Sequence, residues 1–101
     1  MTIYEHKDTV FATAGSSAST SLSIPGGLLR YVFIRSNNSS TIFKATLNDS
    51  DGTDRISYDF HTNEIIDNVI VLPLVGKYTV QVTNASLDDT FKIILGVQEN
   101  R

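Results

Sequence analysis

The segment Asn48-Asp49-Ser50-Asp51-Gly52-Thr53-Asp54 is the one place in the chain where residue types and spacing match a metal site. Alternating carboxylates beside a glycine turn can converge hard oxygen ligands on calcium, with Asp49, Asp51 and Asp54 as the donors. The spacing is not that of an EF-hand loop, and the bidentate Glu is missing. Asp, Asn and Gly are also the residues that turn geometry favours, so a solvated hairpin loop is the plainer expectation and a weak calcium site the other. No other cofactor is expected.

His6 and His61 stand alone in the sequence, and neither has nearby Ser, Cys or Asp residues that would assemble a nucleophile with its base. Both are expected at the surface, and the chain is expected not to be an enzyme. Asn37, Asn38, Asn48 and Asn84 each satisfy the Asn-x-Ser/Thr glycosylation pattern. With 22 of 101 residues Ser or Thr, chance matches are expected, so these read as turn residues. Tyr4, Tyr31 and Tyr58 could stack on sugar rings, although strand alternation places them more naturally in a core or an interface.

Such groups need elements to hold them, and the composition points to strands. Val, Ile and Thr number 29 against 5 Ala, and stiff β-branched side chains suit a pleated surface better than a helix. A chain of 101 residues makes one domain, spanning 1–101, that buries roughly 65% of the surface its unfolded form would expose. There is no cysteine, so packing and hydrogen bonds must hold the fold without disulfides or thiolate zinc sites. A net charge of -3, with the Lys and Arg scattered singly, gives no footprint for nucleic acid. The start Met1-Thr2-Ile3-Tyr4-Glu5-His6-Lys7-Asp8 lacks the pattern of a signal peptide, and no window approaches a membrane span. Synthesis in the cytoplasm without membrane contact is the expectation.

Turn signals recur about every ten residues and bound about eight strands. These are Ile3 to Thr13, Ala18 to Ile24, Leu28 to Arg35, Ile42 to Leu47, Arg55 to Phe60, Glu64 to Leu72, Tyr78 to Thr83 and Phe91 to Val97. Pro25-Gly26-Gly27 is read as a break, and Pro73 as the end of a strand. In the second strand Thr20, Leu22 and Ile24 share a face; in the third, Leu29, Tyr31 and Phe33 do; in the last, Phe91, Ile93, Leu95 and Val97 do. Gly76-Lys77-Tyr78 reads as a corner at which the Tyr hydroxyl bonds backbone a few residues upstream and fixes the crossing between sheets. The expected fold is all-β: a single antiparallel β-sandwich, jelly-roll or immunoglobulin-like. Residues 1–19 serve either as an N-terminal arm or as an edge strand.

Leu28 to Ile34, Val69 to Leu72 and Phe91 to Val97 carry large apolar groups on both strand faces, although a two-layer sandwich buries only one face of each sheet. A second apolar face on a small protein points to a partner surface, with self-association into a closed ring the commonest solution; the alternative is that long loops or the N-terminal segment fold over it.

Ser21-Leu22-Ser23-Ile24-Pro25-Gly26-Gly27-Leu28-Leu29 and Leu74-Val75-Gly76-Lys77-Tyr78-Thr79-Val80-Gln81-Val82-Thr83-Asn84, in a cysteine-free, Ser/Thr/Asn-rich sandwich, resemble the small virion proteins of tailed bacteriophages. The resemblance implies a capsid decoration (cement) protein or a small head or tail component, commonly trimeric, that binds coat or other virion proteins. It would be made in the host cytoplasm and located in the virion. The Gly76-Lys77-Tyr78-Thr79-Val80 step is also similar to that of prepeptidase C-terminal and related carbohydrate-binding sandwiches, which implies a carbohydrate- or surface-binding module instead. The absence of Trp from this chain runs against that second likeness.

Overall fold

The fold was analysed in a computed structural model that describes residues 2–12, 17–38, 40–61, 64–85 and 89–99, with 60 and 61 described by backbone alone. The Gly15-Ser16 turn and the side chains of Phe60 and His61 lie outside the described residues. The described chain is all-β and antiparallel. Its strands are β1 (Ile3–Phe11), β2 (Ser17–Ser36), β3 (Phe43–Asn48), β4 (Asp54–His61), β5 (Glu64–Asp67), β6 (Leu72–Thr83) and β7 (Thr90–Glu99). They join in one continuous sheet of order β1-β7-β2-β6-β3-β4, with β5 also paired to β2.

Among the described residues seven strands rather than eight form, because Pro25-Gly26-Gly27 does not break the chain. β2 runs through it as a 20-residue strand, and the ladder to β6 shifts register between Ile24 and Gly27. Pro25 and Gly26 fall in that shift without ladder partners on β6, which is where a residue lacking an N–H is tolerated in a strand. Gly26 has φ 133°, a conformation that a side chain would strain. Pro73 likewise does not end a strand. It pairs with Leu28 inside β6, whose other edge meets β3 only from Thr79 to Thr83, so Pro73 faces an open edge there. The expected strand from Glu64 to Leu72 is interrupted: β5 stops at Asp67, and β6 begins at Leu72 on the same side of β2.

β2 organises everything else. Its first part, Ser17 to Leu29, pairs with β6, and its second part, Gly27 to Ser36, pairs with β7. Over Gly27 to Leu29 it is flanked on both sides, by Leu72 to Leu74 and by Val97 to Glu99. One half-sheet is therefore β1-β7-β2-β5, and the other is β2-β6-β3-β4. The sheet folds back on itself at this strand. Phe43 of β3 and Phe91 of β7, which are not ladder neighbours, meet edge to face at 5.1 Å. Val32, Ile34 and Leu95 of one half and Ala45, Leu47, Tyr58 and Val80 of the other enclose one small space. The crossing between halves thus lies on β2 and not at the Tyr78 corner. Tyr78 does accept a hydrogen bond from the Val75 amide at 2.9 Å, three residues upstream as expected, but within a continuous β6 that Gly76 bends with φ 98°.

The inward rows are Phe91, Ile93, Leu95 and Val97 on β7, Tyr78, Val80 and Val82 on β6, and Phe43, Ala45 and Leu47 on β3, all buried. On β2 the phase changes. A second register shift, between Leu29 and Tyr31 on the β7 side, inserts one residue. Leu29 is buried with Val32 and Ile34, while Tyr31 and Phe33 turn to the outer face, so the expected Leu29-Tyr31-Phe33 row is corrected.

Gly27 sets how closely β2 and β7 approach. A Cβ there would overlap the Gln98 carbonyl oxygen and stand 2.9 Å from the Glu99 Cα, and those backbone atoms have little freedom to move. Gly27→Ala is expected to lower stability by about 2–3 kcal/mol through overpacking, whereas exposed Ser23→Ala should change it by less than about 0.5 kcal/mol. Urea unfolding of the two variants checks this, and equal midpoints would refute it.

Candidate functional site

The two half-sheets present very different outer faces. On the β2-β6-β3-β4 half, ladder partners place Ser21 beside Thr79, and Thr46 beside Gln81 and Ser57. The Ser21 and Thr79 hydroxyls lie 3.3 Å apart. This face is hydroxyl-rich, with Ser19, Ser21 and Ser23 exposed along β2.

The outer side of the β1-β7-β2-β5 half is apolar at its centre. Strand register arranges it in three rows across the sheet: Glu5, Gly96 and Tyr31; then Lys7, Ile94, Phe33 and Ile66; then Thr9, Lys92, Arg35 and Glu64. An open cleft of about 420 Å³ lies on it, lined by Glu5, Tyr31, Phe33, Ile66, Lys92 and Ile94 among others. Ile66 is 61% exposed, and Val69, on the connection from β5 to β6, is 91% exposed. The sequence pattern located Leu28 to Ile34 and Phe91 to Val97 as doubly apolar, and these strands do supply the cleft. Val69 and Val71, by contrast, belong to a projecting loop and not to a strand with two covered faces.

The Tyr31 ring lies across Gly96, where any Cβ would overlap it. Its hydroxyl donates to Glu5 Oε2 at 2.5 Å. Burial, then this bond, pushes the Tyr31 phenol up to about 12. The same bond, with Lys7 3.3 Å from the other carboxylate oxygen, holds Glu5 below the usual carboxylate range. Tyr58 sits elsewhere, on the inner side: it donates to Asp67 Oδ2 at 2.7 Å, and burial, then that bond, raises its pKa strongly. Of the three tyrosines considered for sugar stacking, Tyr31 is the one that lines the cleft.

The Asp49 to Asp54 loop is organised around its own backbone. Asp49 Oδ1 accepts the amides of Asp51 and Thr53, each at 3.0 Å, and the Gly52 amide bonds the Asp49 carbonyl. Among the described residues no group of three or more His, Cys, Asp and Glu side chains is placed to hold a metal ion. His6 turns inward, and its Nε2 lies 2.8 Å from Oε2 of Glu99, which is 1% exposed. The side chains of three of the glycosylation-pattern asparagines are taken up in loop bonding: Asn37 Oδ1 accepts the Thr90 amide, Asn38 Nδ2 donates to Asp89, and Asn84 Nδ2 donates to the Ile42 carbonyl.

Sequence reasoning missed two buried carboxylates. Asp89 accepts from Thr41 Oγ1 at 2.6 Å and from Asn38, while its carbonyl accepts the Ala12 amide. Glu99 holds the far end of the same strand. Nothing in their sequence neighbourhoods marks them, because their partners lie 48 and 93 residues away.

No family model matches the chain, and no curated protein matches it. Among the described residues no helix is long and apolar enough to cross a membrane.

Two outcomes follow. Asp49→Ala should cost about 1–2 kcal/mol through the two amides left without their acceptor, by the same amount in calcium and in chelator, as thermal melts would register. A cost that appears only in calcium would restore the metal reading. Tyr31, with a folded value above its unfolded value near 10, contributes stability that is complete below about pH 10 and is lost between there and about 12. Glu5, with a depressed value, contributes stability above the usual carboxylate range that is lost as pH falls through its lower folded value. Melting temperature against pH should therefore fall less steeply above pH 10 in Tyr31→Phe than in the parent.

Proposed function

We propose that this chain is a non-enzymatic structural protein of a phage virion, of the capsid decoration or small head or tail component type. It works by self-association and by docking onto coat or other virion proteins. The observation that carries the reading is the contrast between the two outer faces. One is covered with hydroxyls that water satisfies. The other leaves Ile66 exposed and Tyr31, Phe33 and Ile94 half-buried around a cleft, a surface that a protein of this size gains by burying against another protein. The sheet edges favour the same reading. β1 carries Glu5, Lys7 and Asp8, and β4 carries Asp54, Arg55 and Asp59, charges that discourage strand-to-strand addition and leave the face as the docking surface.

One feature favours a second reading, a carbohydrate- or cell-surface-binding module: Tyr31 shares its cleft with the polar groups of Glu5, Asn68 and Lys92, a combination that can stack on a sugar ring and bond its hydroxyls.

Light scattering coupled to size exclusion over a dilution series separates the two. The structural reading expects an oligomer and no change in melting temperature with glycans. The module expects a monomer at every concentration and a melting temperature that rises with the glycan it binds. A monomer would overturn the structural reading.

A further inference from the structure

We infer that two copies of this chain pair face to face through the outer side of the β1-β7-β2-β5 half, about a two-fold axis that runs along the row Ile94, Phe33, Ile66. The inference rests on the reading of the chain as a self-associating protein, and it names the contact.

The charge pattern singles out this arrangement. On one side of the apolar row stand Glu5 and Tyr31; on the other stand Lys92 and Arg35. Arg35 and Lys92 are direct cross-strand neighbours, a like-charge pairing that costs stability within one chain. Glu64, 3.9 Å from the Arg35 guanidinium and on the far side from Lys92, and Glu5, whose carboxylate feels the Lys92 charge across the cleft, relieve it only in part. A two-fold axis along the row lays Ile94, Phe33 and Ile66 each over its own counterpart, with Lys7 at the β1 end of the row drawn off the axis by its ion pair to Glu5, and sets the Lys92–Arg35 row over the Glu5–Tyr31 row of the second copy. Arg35 then covers the face of the second copy's Tyr31 ring, a cation–π arrangement, and Lys92 approaches the second copy's Glu5. An axis parallel to the strands would instead set the two cation pairs on each other. Two-fold pairing is also the commonest way for identical surfaces to close.

Shape agrees with charge. Gly96 lets the Tyr31 ring lie flat on β7, which leaves the opposite ring face outward for a guanidinium. The cleft beside it, about 420 Å³, is open and mostly apolar, so side chains of a second copy can enter it. Four strands at about 4.8 Å spacing make a face roughly 19 Å wide, so such a pair would bury on the order of 1,000 Å² in total, at the low end for a specific interface. The pair should therefore dissociate on dilution. This makes an even-numbered unit, in place of the trimer that the phage resemblance implies.

The chain has no cysteine, so a single introduced thiol tests the axis directly. Ile66→Cys, at an exposed residue on the proposed axis, should form a disulfide-linked dimer under mild oxidation; Thr79→Cys, on the hydroxyl face, should not. In sedimentation equilibrium the parent should show a monomer–dimer equilibrium, and Arg35→Glu should weaken it by about tenfold or more. Circular dichroism melts confirm that the variants are folded. A parent that is monomeric at all concentrations overturns both the inference and the structural reading. A closed trimer, or an oligomer that Arg35→Glu leaves unchanged and Ile66→Cys does not cross-link, overturns this contact alone and leaves the structural reading standing.

Discussion

The close passage of β2 against β7 at Gly27 is the constraint on which the rest of the molecule depends. Over Gly27 to Leu29 β2 has β6 on one side and β7 on the other, and at Gly27 its backbone lies so near Gln98 that no side chain fits. The part of β2 N-terminal of this point belongs to the half-sheet with β6, and the part C-terminal of it to the half-sheet with β7. Because one strand serves both halves, their relative position is set by covalent geometry and not by side-chain packing alone. The two register shifts on either side of Gly27 let the strand turn from one half into the other while its core residues stay inward.

The second of those shifts decides what the protein shows to its surroundings. A single inserted residue between Leu29 and Tyr31 exchanges the two faces for the remainder of β2, placing Tyr31 and Phe33 outside and Val32 and Ile34 inside. With an uninterrupted alternation the aromatic rings would fill the core and the aliphatic residues would face out. As built, the core is closed by Phe43 and Phe91 at 5.1 Å, and the aromatic pair left over joins Ile94 and Ile66 on a face with no other element above it among the described residues.

β7, the strand beneath that face, is anchored at both ends by a buried carboxylate. Asp89, immediately before it, gathers Thr41, Asn38 and the Ala12 amide; Glu99, at its end, meets His6. Such groups are costly to bury, and removing one partner leaves the other desolvated. They bond to specific residues of neighbouring segments and so set the position of β7 and of β1 beside it. The outer rows of charge and apolar groups owe their alignment to those fixed registers.

The class of the fold was legible in the chain by itself. Period-two alternation in Tyr78 to Val82 and Phe91 to Val97, the wealth of β-branched residues and the regular turn signals all act locally, and local pattern is what a sequence displays. So was the presence of surplus apolar surface. Tertiary structure alone decided where that surface lies. Pro25-Gly26-Gly27 is a stop by local chemistry and became a bulge because flanking strands supplied ladder partners on both sides. Pro73 survived in a strand because its N side meets no neighbour there. The buried carboxylates found partners 48 and 93 residues away, and Asp49 turned to its own loop amides. Each of these outcomes depends on which distant backbone lies alongside, and a linear sequence carries that information only through the packing it finally adopts.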